Sequence, residues 1–331
     1  MLPLLACAEP PPPPPDPAAA DRLAAIVRAR VLAGDLARES GWVQTVEVGQ
    51  LLTWAARAGE REVYDALKAA VLANALRDDA DDPYTRGMVL WRWKPGEPPD
   101  ASGTTEALRV AEGLWEGGDR DLARLVLDGY LRHVRVDQGT WMVANYFNLG
   151  TRAFATNTYL VDYDCDFLDA VATATGDPAL ATAARQSRAL VRRARTPAGL
   201  IYDLVQPEVA TLLPAEMMYF SPNDVVQLPN ALTVAAECAR TEPELARGVL
   251  AFAEAHADNV YWYGRTGERA MEARPGAETW AAMVRLADAL GDDRAVATWR
   301  TPLLRAAAAF PPDGPLYAAS EMLLAFDAAA P

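Results

Sequence analysis

Apolar residues recur at helical spacing along most of the chain from Arg22 to Phe326, and no stretch alternates convincingly in the manner of a strand. Runs such as Ala107 to Trp115, together with those near Arg22–Ala33 and Ala318–Phe326, predict amphipathic helices. The informative feature is the join between runs. Ala58-Gly59-Glu60, Gly117-Gly118-Asp119, Thr175-Gly176-Asp177, Arg240-Thr241-Glu242 and Leu290-Gly291-Asp292 each end one helical run and begin another. A glycine there can adopt the left-handed C-cap conformation, and the acid after it can cap the next helix, so each join predicts a tight helical hairpin. The joins return at intervals of roughly 50 to 65 residues, which marks an internal repeat. Five hairpins, with the first helix able to meet the last, predict an all-α domain over 18–331 of about twelve helices closed into a ring. Stacked hairpins in an open solenoid would give the same repeat, and the two readings differ in whether the ends meet.

Between the hairpins the loops are longer and carry much of the aromatic content: Trp91 and Trp93, Trp141, Tyr146 and Phe147, Tyr159 and Tyr163, Tyr219 and Phe220, and Tyr261 to Tyr263. In a ring of hairpins these loops gather on one face. Flat rings interspersed with Asp and Asn suit the apolar faces and hydroxyl edges of sugars, although the same rings can simply pin long loops to the core. One loop delivers a carboxylate to a helix start: Asp100 to Glu106, a polar turn containing Gly103, leads directly into the run from Ala107. Glu106 is the first candidate for chemistry. The competing reading is that acids favour first helical turns, as Glu47, Glu278 and Glu321 also would.

Charge narrows the partners. The chain has 331 residues, 51% hydrophobic and 23% charged, and a formal charge of −14, which argues against nucleic acid or anionic lipid as a ligand and favours a neutral or cationic one. Cys165 and Cys238 have no metal-type spacing and read as buried thiols. His133 and His256 fall late in predicted helices and read as surface or C-terminal residues, so neither a zinc site nor a serine–histidine triad is expected. At the start, Leu2 to Ala6 before Cys7 resembles a lipoprotein cleavage box with Cys7 as the acylated residue, the full signal beginning upstream, or else an incidental apolar N-terminus. Pro10 to Pro15 and Pro17 would form a stiff polyproline spacer, so 1–17 reads as a signal remnant and tether. Any membrane attachment would then be through lipid, and the location periplasmic or at the cell envelope.

Three segments bring a family into view. Asp164-Cys165-Asp166-Phe167-Leu168-Asp169-Ala170 resembles the Asp-small-Asp-x-x-apolar-Ala motif of glycoside hydrolase family 8, inverting enzymes with an (α/α)6 barrel. Asn223 to Pro229 is similar to that family's Tyr-Asp-Ala-x-Arg-x-Pro motif, and Thr104-Thr105-Glu106 falls where the family has Ser-Glu. The resemblance implies Glu106 as general acid and Asp224 as general base. Asp164 or Asp166 would contact the sugar at the cleavage point, with Trp91, Trp93, Trp141, Tyr163, Tyr219 and Gln227 along the substrate path. It implies no metal or organic cofactor. The chain departs from the pattern at Ala107 and Ala111, which replace glycines, at Asp169, and at Gln227, which replaces the arginine.

The chemistry asks for such an arrangement independently. Inverting hydrolysis needs a protonated carboxyl on the leaving oxygen and an ionised one activating water, roughly 6.5–9.5 Å apart. A helix N-terminus would hold the pKa of Glu106 down, and neighbouring aspartates could raise it again. The Asp162 to Asp169 cluster can also be read as a solvated acidic loop or a cation site, and Asp224 as a helix N-cap. The expectation is therefore a hydrolase acting on a β-linked polysaccharide, with a non-catalytic helical-repeat lipoprotein binding a glycan or protein as the rival.

Overall fold

The structure, a computed structural model, describes residues 16–137, 140–205 and 225–328. Cys7, the proline run, Tyr219 and Asp224 lie outside the described residues. Twelve α-helices are present among those described. They are α1 (Ala19–Leu32), α2 (Thr45–Arg57), α3 (Arg61–Asn74), α4 (Thr104–Glu116), α5 (Arg120–Leu131), α6 (Cys165–Thr175), α7 (Pro178–Arg193), α8 (Leu228–Glu237), α9 (Pro243–Ala255), α10 (Ala277–Ala289), α11 (Asp293–Ala308) and α12 (Leu316–Ala328).

All five joins are tight turns, between α2 and α3, α4 and α5, α6 and α7, α8 and α9, and α10 and α11. Gly59, Gly118, Gly176 and Gly291 take positive φ there, as a reversal in so few residues requires. Asp177 and Asp292 cap the following helices through their carboxylates. Glu60 and Asp119 do not: Glu60 is drawn off by Arg28, and Asp119 accepts from Tyr64 (2.6 Å) and Lys68 (2.9 Å).

The even-numbered helices form an inner ring and the odd-numbered ones an outer layer. Helix α2 packs on α4, α8 on α10, α10 on α12, and α12 back on α2, so the ring closes, and α1 covers the seam against α11 and α12. An open solenoid is thereby excluded. Helices α2 and α4 approach most closely where Gly49 faces Arg109 and Gly113 faces Leu52; a Cβ on either glycine would collide with the facing Cβ, at 2.6 Å and 2.5 Å. One continuous apolar core runs from Ala19 to Phe326.

The interior of the ring is also charged. Arg109 pairs with Glu237 and lies 3.5 Å from Asp164; Arg285 reaches Glu237 (3.4 Å) and Glu321 (2.8 Å); Glu321 accepts from Gln50, which accepts from Ser320 (2.7 Å). These groups compensate one another, as charges taken out of water must.

Several expectations are corrected. Twelve short strands occur among the described residues, all in or beside the long loops, in sheets of two or three such as β1 (Val43–Gln44) with β2 (Arg92–Trp93) and β3 (Ala101–Gly103) with β6 (Tyr146–Asn148). Strands of two to four residues are too short to show an alternating pattern. Cys165 and Cys238 are not thiols but a disulfide, joining the first residue of α6 to the C-cap of α8 across 73 residues. His133 is fully buried rather than at the surface, between the Ser102 hydroxyl (2.9 Å) and the Gly129 carbonyl (3.0 Å), and burial pushes its pKa down to about 4.

Candidate active site

Inner helices α2, α4, α6, α8 and α10 each run from a long loop to a tight turn, so the long loops and the short strands share one face, the loop face. Strand β3 brings Ala101-Ser102-Gly103 straight into α4, with the buried Ser102–His133 pair holding it from below. Glu106 thus enters in the first turn of α4, and its carboxylate folds back over Gly103, beside Trp91. Gly103 is extended (φ −126°), which any residue can adopt, yet a Cβ there would collide with the Glu106 carboxylate. The glycine is needed for space. Gly103→Ala is expected to leave folding unchanged and to lower turnover about 10²-fold by displacing the carboxylate, a shift of the order that misplaces a reacting group. Thermal melting and initial rates compared between the two proteins check this, and unaltered rates would show that the carboxylate position does not matter.

Among the described residues no cation pairs with Glu106. Glu47, in the first turn of α2, is held by Arg38, and Glu321, which lies in the second turn of α12 and not at its start as expected, is held by Arg285. Burial pushes the Glu106 carboxyl up to about 8; its own backbone N–H and Arg109 oppose the shift, and the charge of Asp162 adds to it. Asp162 sits in a short 3-10 turn, Leu160–Asp162, between β8 (Thr158–Tyr159) and α6. It is fully buried and accepts from the Thr105 hydroxyl (2.5 Å) and the Tyr159 N–H (3.0 Å). Burial raises it to about 7 against those bonds. Two carboxyl groups that share one crowded site in this way cannot both ionise easily, which keeps one of them an acid near neutral pH.

The aspartates that follow are spread along the depth of the ring. Asp164 is extended (φ −113°), and two residues of extended chain advance about 7 Å. Asp162 therefore meets Thr105 and Glu106 at the loop face. Asp164, one step deeper, caps α6 through the Phe167 N–H (2.9 Å) and faces Arg109. Asp166, deeper still, accepts from the Arg240 and Thr241 N–H groups (2.8 and 3.0 Å) in the α8–α9 turn. Of the two aspartates expected to meet the sugar, Asp164 faces Arg109 and Asp166 the α8–α9 turn, and Asp162 is the one that stands beside Glu106. The signal was present in sequence as a second Asp-x-Asp, Asp162-Tyr163-Asp164, two residues earlier.

Trp91 is half-buried at the site, its indole N–H donating to Asp100 (2.7 Å) and its ring tilted against Tyr146. Trp141 is half-buried on β5 (Thr140–Val143) and packs against Tyr163. Tyr163 itself is no part of the surface: it is fully buried, with its hydroxyl held by Thr158 (2.6 Å) and the Val143 N–H (2.9 Å). Trp93 is 8% exposed and locked in β2 opposite Val43. Gln227 is exposed and precedes α8 as its N-cap residue, without a side-chain cap bond.

Sequence reading also missed Asp203. Its carbonyl accepts from the Leu160 N–H (2.8 Å), its Oδ2 accepts from the Gln227 N–H (2.9 Å), and burial raises its pKa to about 7. It ties the Asp162 turn to β10 (Val225–Gln227), the strand that Asp224 immediately precedes in the chain. Across the same face, an open concavity of about 980 Å³ lies among the starts of α2, α10 and α12, with Arg38, Glu47, Glu278 and Tyr317 on its walls. Among the described residues no three His, Cys, Asp or Glu side chains converge to hold a metal ion.

The closed double ring of hairpins, with its acids at the inner helix starts, is the (α/α)6 architecture, and solved structures share it over nearly the whole chain. An endo-β-1,4-glucanase from Acetobacter xylinum superposes with a TM-score of 0.68 at 19% identity, covering 94% of this chain and 97% of that one. A structure described as a novel alpha-amylase from Clostridium perfringens gives 0.69 at 13% identity over 87% and 86%. A family 8 glycoside hydrolase from Teredinibacter turnerae, solved with xylobiose, gives 0.63 at 13% identity over 94% of each chain. No protein-family model matches the sequence, and no curated protein does.

Proposed function

We propose that the chain is a glycoside hydrolase that cleaves a β-linked polysaccharide with inversion, Glu106 acting as general acid and Asp224 as general base. One observation carries this reading: a carboxyl group without a cationic partner among the described residues, kept protonated to about pH 8 by burial and by Asp162, at the open face of a six-hairpin ring. Solved proteins of this fold include endoglucanases and a β-1,3-1,4-glucanase. Asp162, fully buried with both oxygens engaged, would act on Glu106 rather than on the sugar, holding it in its protonated form. Trp91 and Trp141 offer half-buried ring faces, and the concavity across the same face gives a polymer room to lie.

The Cys165–Cys238 disulfide supports an oxidising location such as the periplasm or cell surface, in keeping with an anchor at Cys7. Incubation with a panel of β-linked glycans is expected to release new reducing ends from at least one, and proton NMR of the first product is expected to show the α-anomer. Release from none of them would remove the reading, and a β-anomer would remove inversion alone.

A further inference from the structure

The rim beside Glu106 continues into a row of cations. Trp91, which crowds Gly103 together with Glu106, is followed in the chain by Arg92. The Arg92 guanidinium lies 5.0 Å from the Trp91 ring centre and 4.4 Å from that of Trp42, and Lys94 Nζ lies 5.9 Å from Trp42 on the same strand edge. Pairing of Gln44 with Arg92 and of Val43 with Trp93 fixes this edge against the start of α2. Behind it opens a cavity of about 300 Å³ walled by Trp42 and Trp93, into which Arg77, Arg92 and Lys94 contribute, with Glu97 as the one acid on its lining among the described residues.

The charge in this cavity is only partly spent internally. Arg92 is paired with Asp100 (2.9 Å), but neither Arg77 nor Lys94 has an acidic partner among the described residues, and Arg77 Nε is buried without any hydrogen-bond partner. The surplus of cations stands out in a chain of net charge −14. That overall charge does not forbid an anionic ligand here, because exposed charges more than about 8 Å away are screened at physiological salt while the cavity's own cations are in contact.

We propose that this cavity is a subsite for a carboxylate-bearing sugar unit, so that the polymer crossing the loop face is an acidic polysaccharide. The proposal rests on the glycosidase reading above and sharpens its substrate. It reverses the expectation from net charge, and it disfavours amino sugars, whose ammonium groups would meet Arg77 and Lys94.

The test compares two hexasaccharides that differ only at C6: cellohexaose and its fully oxidised counterpart, a β-1,4-linked glucuronic acid hexamer. Binding is measured by calorimetry on the full chain carrying Glu106→Gln, so that neither is consumed. The acidic hexamer is expected to bind at least about tenfold more tightly, the scale of one charge-assisted contact. Lys94→Gln, at a half-exposed position, and Arg77→Gln are each expected to remove about tenfold of that affinity while leaving cellohexaose binding unchanged. Cellohexaose binding as tightly as the acidic hexamer, or a preference indifferent to both substitutions, would overturn the acidic-substrate proposal alone. Failure of both sugars to bind would overturn the glycan reading and this proposal with it.

Discussion

Glu106→Gln is expected to lower kcat by about 10² to 10⁴-fold, the usual contribution of a positioned general acid, while circular dichroism and oligosaccharide binding stay as in the parent. The amide keeps the size and hydrogen-bonding capacity of the side chain but cannot deliver a proton to the leaving oxygen. In the parent the acid must be protonated to work, and its pKa is raised to about 8. Activity should therefore persist through neutral pH and fall as pH rises past about 8, rather than failing above the ordinary glutamate range. A variant that releases reducing ends at the parental rate would dismiss Glu106 from the chemistry.

Replacing both Cys165 and Cys238 with alanine is expected to destabilise the fold by about 4 kcal/mol, the loop-closure contribution of a bridge spanning some seventy residues. For a domain of this size that corresponds to a fall in Tm of roughly 6 °C. Both sulfurs are fully buried, so partial reduction should be slow in the native state and fast once unfolding begins. The bridge fastens the start of α6 to the end of α8, and α6 meets the rest of the inner ring chiefly through the segment that carries Asp162. Activity at moderate temperature should then decline before global melting. A calorimetric scan of the double variant that matches the parent would show that packing alone secures α6.

The ring was legible because its punctuation is chemical: glycine at positive φ and short polar turns recur whatever the helices around them contain. The place of Glu106 in the first turn of α4 was legible because the polar turn before it ends a loop at a helix start. The depths of Asp164 and Asp166 were not legible because a motif gives spacing without depth. Asp162 in a 3-10 turn, Asp164 in extended backbone and Asp166 in the first turn of α6 reach three different levels of the cylinder, and only the packing of Thr105, Arg109 and Arg240 decides which level each one reaches. The disulfide was invisible because its two cysteines are 73 residues apart and meet through the offset of α6 along the ring axis. Asp203 lies in no motif; what distinguishes it is the pair of strands it joins.

Three interior carboxyl groups, those of Glu106, Asp162 and Asp203, ionise in the folded chain at about 7 to 8. In an unfolded chain the same groups would release their protons near pH 4. Between those limits the native form therefore holds more protons than the denatured one, and by linkage each step towards alkalinity takes stability away. Their contribution is fully present in acid and is lost as the medium passes through neutrality. A scaffold built this way tolerates souring surroundings better than alkaline ones, and the same retained protons that would serve bond cleavage set the range of environments in which the cylinder stands.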